Sequence, residues 1–237
     1  YSLGLYDACS DIYLKILNIQ EDSDDHMSLG NIYNRIGFIQ QIRGNYDEAI
    51  QFHYKAIAVR KKINFIPGLG ASHHNIADCF INKGVLDSAL HHAYEALKFR
   101  KIENSNKSIA EPYQSLGIIY CELKNNDSAY YYLDKSINIW SQHKDQKDNY
   151  RECLFFKAKL IFNEIKNKPL LEDFERKLFI ERTIFYCNNI ITLGKSINPD
   201  KYQLNALKLK SQCYYNIGVY KKALKVLQQY HKSFNIK

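Results

Sequence analysis

A six-residue stretch recurs along this chain at an interval of forty residues. Gly4-Leu5-Tyr6-Asp7-Ala8-Cys9 is followed by Gly44-Asn45-Tyr46-Asp47-Glu48-Ala49, then Gly84-Val85-Leu86-Asp87-Ser88-Ala89, then Lys124-Asn125-Asn126-Asp127-Ser128-Ala129. Aspartate holds one slot four times, and a small residue follows it two places later (Cys9, Ala49, Ala89, Ala129). A period of roughly 20 to 50 residues means stacked copies of one small unit, none of which can bury its apolar face alone. The 237 residues are therefore predicted to form one elongated stack rather than one or two globular domains.

Within each copy the apolar spacing is helical. Residues 5–19 read as a helix carrying Tyr13, Ile16 and Leu17 on one face. An acidic loop, Glu21 to Asp25, precedes the next helix, whose positive end acidic groups favour. In 29–42, Tyr33, Ile36, Gly37 and Gln40 stand at i, i+3, i+4 and i+7, and a second helix carries Ala49, His53, Ala56 and Ile57. A glycine inside a helix costs about 1 kcal/mol against alanine, so Gly37 implies a helix crossing very close. Forty residues on stand His73, Ile76, Ala77 and Phe80, then Ala89, Ala93, Ala96 and Leu97. Forty further stand Tyr113, Leu116, Gly117 and Tyr120, then Ala129, Leu133, Ser136 and Ile137.

Residues 141–200 break the rhythm. Leu154, Ala158 and Ile161 continue the first-helix pattern one residue late, and Lys166-Asn167-Lys168-Pro169 ends that helix. Leu171, Phe174, Leu178, Ile184, Cys187 and Ile191 then describe a second helix of about 24 residues, longer than the typical mean. The next small first-helix residue, Ser211, lies 53 beyond Ala158, so this unit carries 13 extra residues. Asp200, after Pro199, is the expected N-cap of the last pair.

These residues resemble the tetratricopeptide repeat (TPR) family, and the match is clearest at Tyr113-x-x-Leu116-Gly117-x-x-Tyr120. Residues 202–231 fit again, through Leu207, Ser211, Tyr214, Gly218, Tyr220, Ala223, Leu227 and Tyr230. The resemblance implies an all-α fold, a right-handed α-solenoid of antiparallel helix pairs. Its repeats would be 29–68, 69–108 and 109–147, an irregular lengthened one at 148–199 and a C-terminal one at 200–237. Residues 1–28 would hold the second helix of a cut first repeat; since Tyr1 falls inside a repeat, the chain reads as a fragment. Tyr33, Gly37, Ala49, Ala77, Ala89, Tyr113, Gly117, Tyr120, Ala129 and Ala223 would be the structural repeat positions. A standard unit has about 34 residues, and the longer period here is similar to that of kinesin light chain and of bacterial TPR regulators and sensor proteins.

In such stacks the first helices line a concave groove that takes a protein or peptide. By that resemblance the groove would present Asn34, Phe38 and Gln41, then His74, Asn75, Asp78 and Asn82, then Gln114, Ile118 and Glu122. Amides there suit a peptide backbone, which offers one donor and one acceptor per residue. The cations that clamp a C-terminal carboxylate in some members are missing, so no chaperone-tail clamp is expected. The resemblance implies a non-catalytic scaffold, the sensory or regulatory part of a larger bacterial signalling or transcription-regulatory protein. A free-standing adaptor is the alternative, and self-association is compatible with either.

The net charge of +8 and pI near 9.0 invite a nucleic-acid reading. Yet Arg60, Lys61, Lys62, Lys98, Arg100 and Lys101 sit where repeated helices end, and cations there offset the helix dipole as solvated charges. What remains for nucleic acid is a basic C-terminal face of Lys208, Lys210, Lys221, Lys222 and Lys225, kept as the alternative function. Of the six cysteines no two lie closer than 26 residues, so they are expected to be reduced packing residues without metal or redox work. Stacking is expected to bring His53 near His73 as packing, with no ligand spacing for zinc; His74 and Asp78 are an i, i+4 pair. Gly68-Leu69-Gly70 resembles a phosphate loop only weakly, lacking its lysine and preceding strand, and is expected to be an ordinary loop. With no catalytic motif, no cofactor and no apolar run of about 18 residues, neither an enzyme nor a membrane span is expected. The compartment, bacterial cytoplasm or periplasm, is left unassigned.

Overall fold

The computed structural model describes residues 2–20, 24–103, 105, 107–143, 145–167, 172–194 and 200–234. Among them are eleven α-helices and no strand. They fall into two units, Tyr1–Leu123 and Lys124–Lys237. Glu21 to Ser23, Lys168 to Leu171 and Pro199, on which parts of the sequence reading rest, lie outside the described residues.

The first unit contains α1 (Ser2–Gln20), α2 (His26–Arg43), α3 (Tyr46–Lys62), α4 (Ile66–Lys83), α5 (Leu86–Glu103) and α6 (Ala110–Glu122). The copies of the repeated stretch that begin at Gly44 and Gly84 form the turn between helices of a pair, whereas the copy from Gly4 to Cys9 lies within α1. Gly44 and Gly84 adopt φ of +82° and +74°, the left-handed conformation that lets a helix end and the chain reverse. At each the backbone closes the helix end the same way: Asn45 N–H donates to Gln40 O (2.9 Å) and Val85 N–H to Phe80 O (3.0 Å). Asp47 and Asp87 then stand in the first turns of α3 and α5, where a carboxylate meets the positive helix end. Asp25 caps α2 by accepting from Ser28 N–H (3.0 Å).

Apolar faces close in sequence-local clusters. Leu17 of α1, Leu29, Ile32, Tyr33 and Ile36 of α2, and Ala56 and Val59 of α3 form one. Ala49, Ile50 and Ile57 of α3 with Leu69, Ile76 and Cys79 of α4 form the next. Ala49, Ala77 and Ala89 are wholly buried and Gly37 is buried, while Tyr113 and Tyr120 stay half-buried. A Cβ on Gly37 would lie 2.8 Å from His53 Cε1, so this glycine admits the imidazole of α3. Ala89→Leu should wedge its neighbours apart at about 1–3 kcal/mol, and Gly37→Leu should do the same through His53. Urea denaturation followed by circular dichroism reads the loss; parent-like midpoints would overturn this packing.

Gly68-Leu69-Gly70 is not a loop. It belongs to the first turns of α4, which begins at Ile66 after Asn64 turns the chain at φ +51°. Pro67, pre-set for helix at the first turn, helps start it. The glycines make room for arginines: a Cβ on Gly68 would sit 2.7 Å from Arg60 Nε, and one on Gly70 3.0 Å from Arg100 Cδ.

The second unit contains α7 (Asn126–Trp140), α8 (Lys147–Asn167), α9 (Asp173–Leu193), α10 (Lys201–Asn216) and α11 (Tyr220–Phe234). Its core joins Leu154, Ala158, Phe162 and Ile165 of α8 to Ile180, Cys187 and Ile190 of α9 and Ala206, Leu209 and Cys213 of α10. The lengthened region consists of two 21-residue helices, α8 and α9, against 17 or 18 residues for α2 to α5. Ala129 is wholly buried, Ala223 nearly so, and Gly218 turns α10 into α11 at φ +72°. Asp200 caps α10 in a reciprocal box: its carboxylate accepts from Tyr202 and Gln203 N–H, while the Gln203 side chain accepts from Asp200 N–H.

All six cysteines are free. Burial pushes the thiols of Cys79, Cys153 and Cys213 up to about 12, so they remain protonated packing groups.

Candidate functional site

In the first unit, the helices that open each pair, α2, α4 and α6, bring polar side chains together. The Asn75 amide donates to Asn34 Oδ1 (3.1 Å), and His53 Nδ1–H donates to the same oxygen (3.1 Å). Asn34 Nδ2 and Asn75 Oδ1 therefore remain open to solvent, the first a donor and the second an acceptor. Phe38, 45% exposed, lies one turn beyond Asn34 on α2, and Gln41 is half-buried.

A second cluster joins α4 to α6. Ser115 Oγ lies 3.0 Å from Asp78 Oδ1 and 3.2 Å from His74 Nδ1, and His74 Nε2 faces Asp78 Oδ2 at 3.4 Å. Desolvation raises the Asp78 carboxyl above its ordinary value, opposed by the charge of His74 and the Ser115 hydroxyl. Asn82 is exposed and its amide donates back to Asp78 O (2.7 Å), which occupies it within its own helix. Glu122 is exposed. Gln114 and Ile118 are buried, as are all residues from 114 to 119. Sequence reasoning missed Ser115, although it stands forty residues after Asn75 and the period marked its slot.

The hydrogen-bond partner of His53 is Asn34. His73 pairs with His92 of α5, Nδ1 to Nδ1 at 3.0 Å, and His92 Nε2 meets the Tyr54 hydroxyl at 2.9 Å. Burial lowers the pKa of His53 to about 3, helped by the charge of Arg60, and lowers those of His73 and His92 to about 4. His53 is wholly buried, its Nδ1–H is already donated, and its Nε2 has no partner, so a proton added there finds no acceptor. The unfolded ring takes that proton near pH 6.5 and the folded ring only near 3, so His53 destabilises the fold progressively as pH falls through this window. At pH 5.5 the loss should be about 1 kcal/mol. Urea midpoints at pH 7 and 5.5, compared with those of His53→Leu, isolate it; equal pH sensitivity in the two proteins would overturn it.

Arg60 and Arg100, expected as solvated helix-end charges, are buried. Arg60, 4% exposed, donates to Gly68 O (2.9 Å), Ser72 Oγ (2.6 Å) and Asn31 Oδ1 (3.0 Å). Desolvation lowers its pKa to about 10, which leaves it charged at neutral pH. Arg100 reaches Glu103 (2.8 Å), Glu111 (3.0 Å) and Pro67 O (3.3 Å). Each arginine reaches from the end of a pair's second helix to the first helix of the pair that follows. Among the described residues no cluster of three or more His, Cys, Asp or Glu could hold a metal ion. No helix among them is long and apolar enough to cross a membrane.

Residues 1–62 and 28–102 match the tetratricopeptide repeat. The solved structure of BtubC (BKLC) from P. vanneervenii is similar with a TM-score of 0.72 at 12% identity, over 99% of this chain and 90% of that one. The apo form of the quorum sensor NprR from B. thuringiensis gives 0.65 at 11%, over 96% and 60%. The TPR-like repeats of a kinesin light chain-like protein from Podosopora anserina give 0.62 at 14%, over 88% and 96%. At these identities the likeness is one of fold. No curated protein matches the sequence. The N-terminal 102 residues thus match tetratricopeptide repeats, and the fold is that of TPR solenoids.

Proposed function

We infer that the chain is a non-catalytic scaffold that binds an extended peptide segment across α2 and α4 of its first unit. The observation that carries this is the Asn34–Asn75 pair. Each amide is held in place by the other, and one donor and one acceptor are left for a peptide group. Phe38 beside them supplies an exposed apolar contact for a neighbouring side chain. The context proposed is the sensory or regulatory part of a larger bacterial signalling or transcription-regulatory protein. It is supported by the likeness of fold to a quorum sensor.

Panning a random peptide library on the chain should yield peptides whose binding depends on this pair. Asn75→Ala should weaken them about tenfold, the worth of one or two hydrogen bonds. Asn82→Ala should do less, because its amide is engaged within α4. Helicity should be unchanged in both. Selected peptides indifferent to Asn75, or a library that yields none, would overturn the assignment.

A further inference from the structure

The second unit carries a groove of a different character, far from the amide pair in sequence. Tyr220, Ala223, Leu224 and Leu227 of α11 stand at i, i+3, i+4 and i+7. Lys208, Ser211, Gln212 and Tyr215 of α10 stand at the same spacing. The two stripes border a cavity of about 770 Å³, closed at one side by Phe162 and Lys166 of α8. Each stripe runs about 10 Å, two turns of helix. It is an open trough: Tyr215, Tyr220 and Leu224 are more than half exposed, Leu224 at 57%.

The two helices that carry the stripes bear charge of one sign. From Lys201 to Phe234 there are seven lysines and no aspartate or glutamate. Lys208 and Lys166 stand at the cavity itself. An apolar floor two turns long inside a cationic rim is complementary to a helix with an apolar stripe and acidic flanks. Nucleic acid fits less well, since its backbone would track the lysines while leaving the leucine floor uncovered.

We propose that the α10–α11 groove is a docking site for an acidic amphipathic helix of a partner protein, whose i, i+3, i+4 and i+7 apolar residues enter the trough. Recognition has two parts. Leu224 and Leu227 with the two tyrosines supply apolar contact, and Lys166 and Lys208 receive the flanking carboxylates.

The test uses the chain as it stands and a fluorescent designed peptide, a Glu-rich helix with a Leu stripe at that spacing, read by anisotropy. Saturable binding is expected, weakened about tenfold or more by Leu224→Glu, an exposed position that leaves the fold intact, and comparably by Lys208→Glu. Asn75→Ala should leave it unchanged, which separates this site from the first-unit peptide groove. The proposal falls if a peptide of equal charge with serines for leucines binds as well, because attraction is then electrostatic alone. It falls equally if a short oligonucleotide binds more tightly and is lost on Lys208→Glu, which would make the face a nucleic-acid surface. It also falls if sedimentation shows the chain dimerising through Leu224, or if no peptide binds.

Discussion

Arg60→Ala is expected to be the most damaging single truncation in the first unit, at about 3–5 kcal/mol. The side chain is buried along its length: its stem passes Gly30, where a Cβ would come within 3.2 Å, and its head lies against Gly68 and the Phe65 ring. Two glycines fitted around one arginine cannot refill the space it leaves, so alanine opens a cavity rather than a dent. The guanidinium also ties three places together: Asn31 on α2, and Gly68 and Ser72 on α4. Among the described residues no carboxylate pairs with it, which separates its packing from its charge. Arg60→Met keeps most of the volume and gives up the hydrogen bonds. Asn31 is exposed and can turn to water, so methionine should cost about 2 kcal/mol or less. Thermal melts and urea titrations of the three proteins check this. Equal losses for alanine and methionine would mean that the hydrogen bonds, not the packing, hold the α2–α4 junction.

That arginine shows where the sequence was legible and where it was not. The period was legible because its carriers are local: a glycine with positive φ, an aspartate at a helix start and a small residue in a helix crossing each act within a few positions. Arg60 and Arg100 share the forty-residue spacing, as do Gly30 and Gly70, yet the two observations join only when the chain is folded. A cation in the last turn of a helix is ordinarily solvated, and two glycines flanking a leucine ordinarily mark a loop. Each expectation failed because the other residue was its partner. The histidines teach the same point. His53 is fixed by Asn34 because α3 folds back on α2, and His73 by His92 because α5 folds back on α4, so both of these contacts lie within a hairpin. Asn34 and Asn75 could be read as groove residues, but the donor and acceptor left free on them depend on distances no spacing reveals. Gln114 and Ile118 fell in the same register and proved buried, since register gives a face and not its exposure.

In the second unit, Asp200→Ala should cost about 3 kcal/mol, because one carboxylate performs two tasks. It caps α10, a role worth about 1 kcal/mol. It also takes a bidentate pair from Arg151 of α8, with both nitrogen–oxygen distances at 2.6 Å. Arg151 is 2% exposed, and its other carboxylate contact, Asp148, is a longer one at 3.2 Å from a largely exposed side chain. Removing Asp200 therefore strands most of a buried charge, which places the loss near the lower end of the roughly 3–5 kcal/mol seen for broken buried pairs. The lower end is right because the Asp200 side chain keeps 39% of its exposure and is partly screened. Desolvation alone would raise its carboxyl; the Arg151 hydrogen bonds, the Gln203 and Tyr202 amides and the Arg151 charge outweigh it and hold the carboxyl below the ordinary value. The stabilisation is accordingly full above the unfolded value and lost as pH falls through the folded one, at the acid end of the range. Asp200→Asn keeps the cap and removes the charge, so it should lose most but not all of what alanine loses. In an Arg151→Met background the cost of Asp200→Ala should shrink toward that of the cap alone, and a double-mutant cycle measures the difference. If the two substitutions add without coupling, the pair is not what joins α8 to α10, and Gln203, which reaches the carbonyls of Ile191 and Gly194, is left as the tie between α9 and α10.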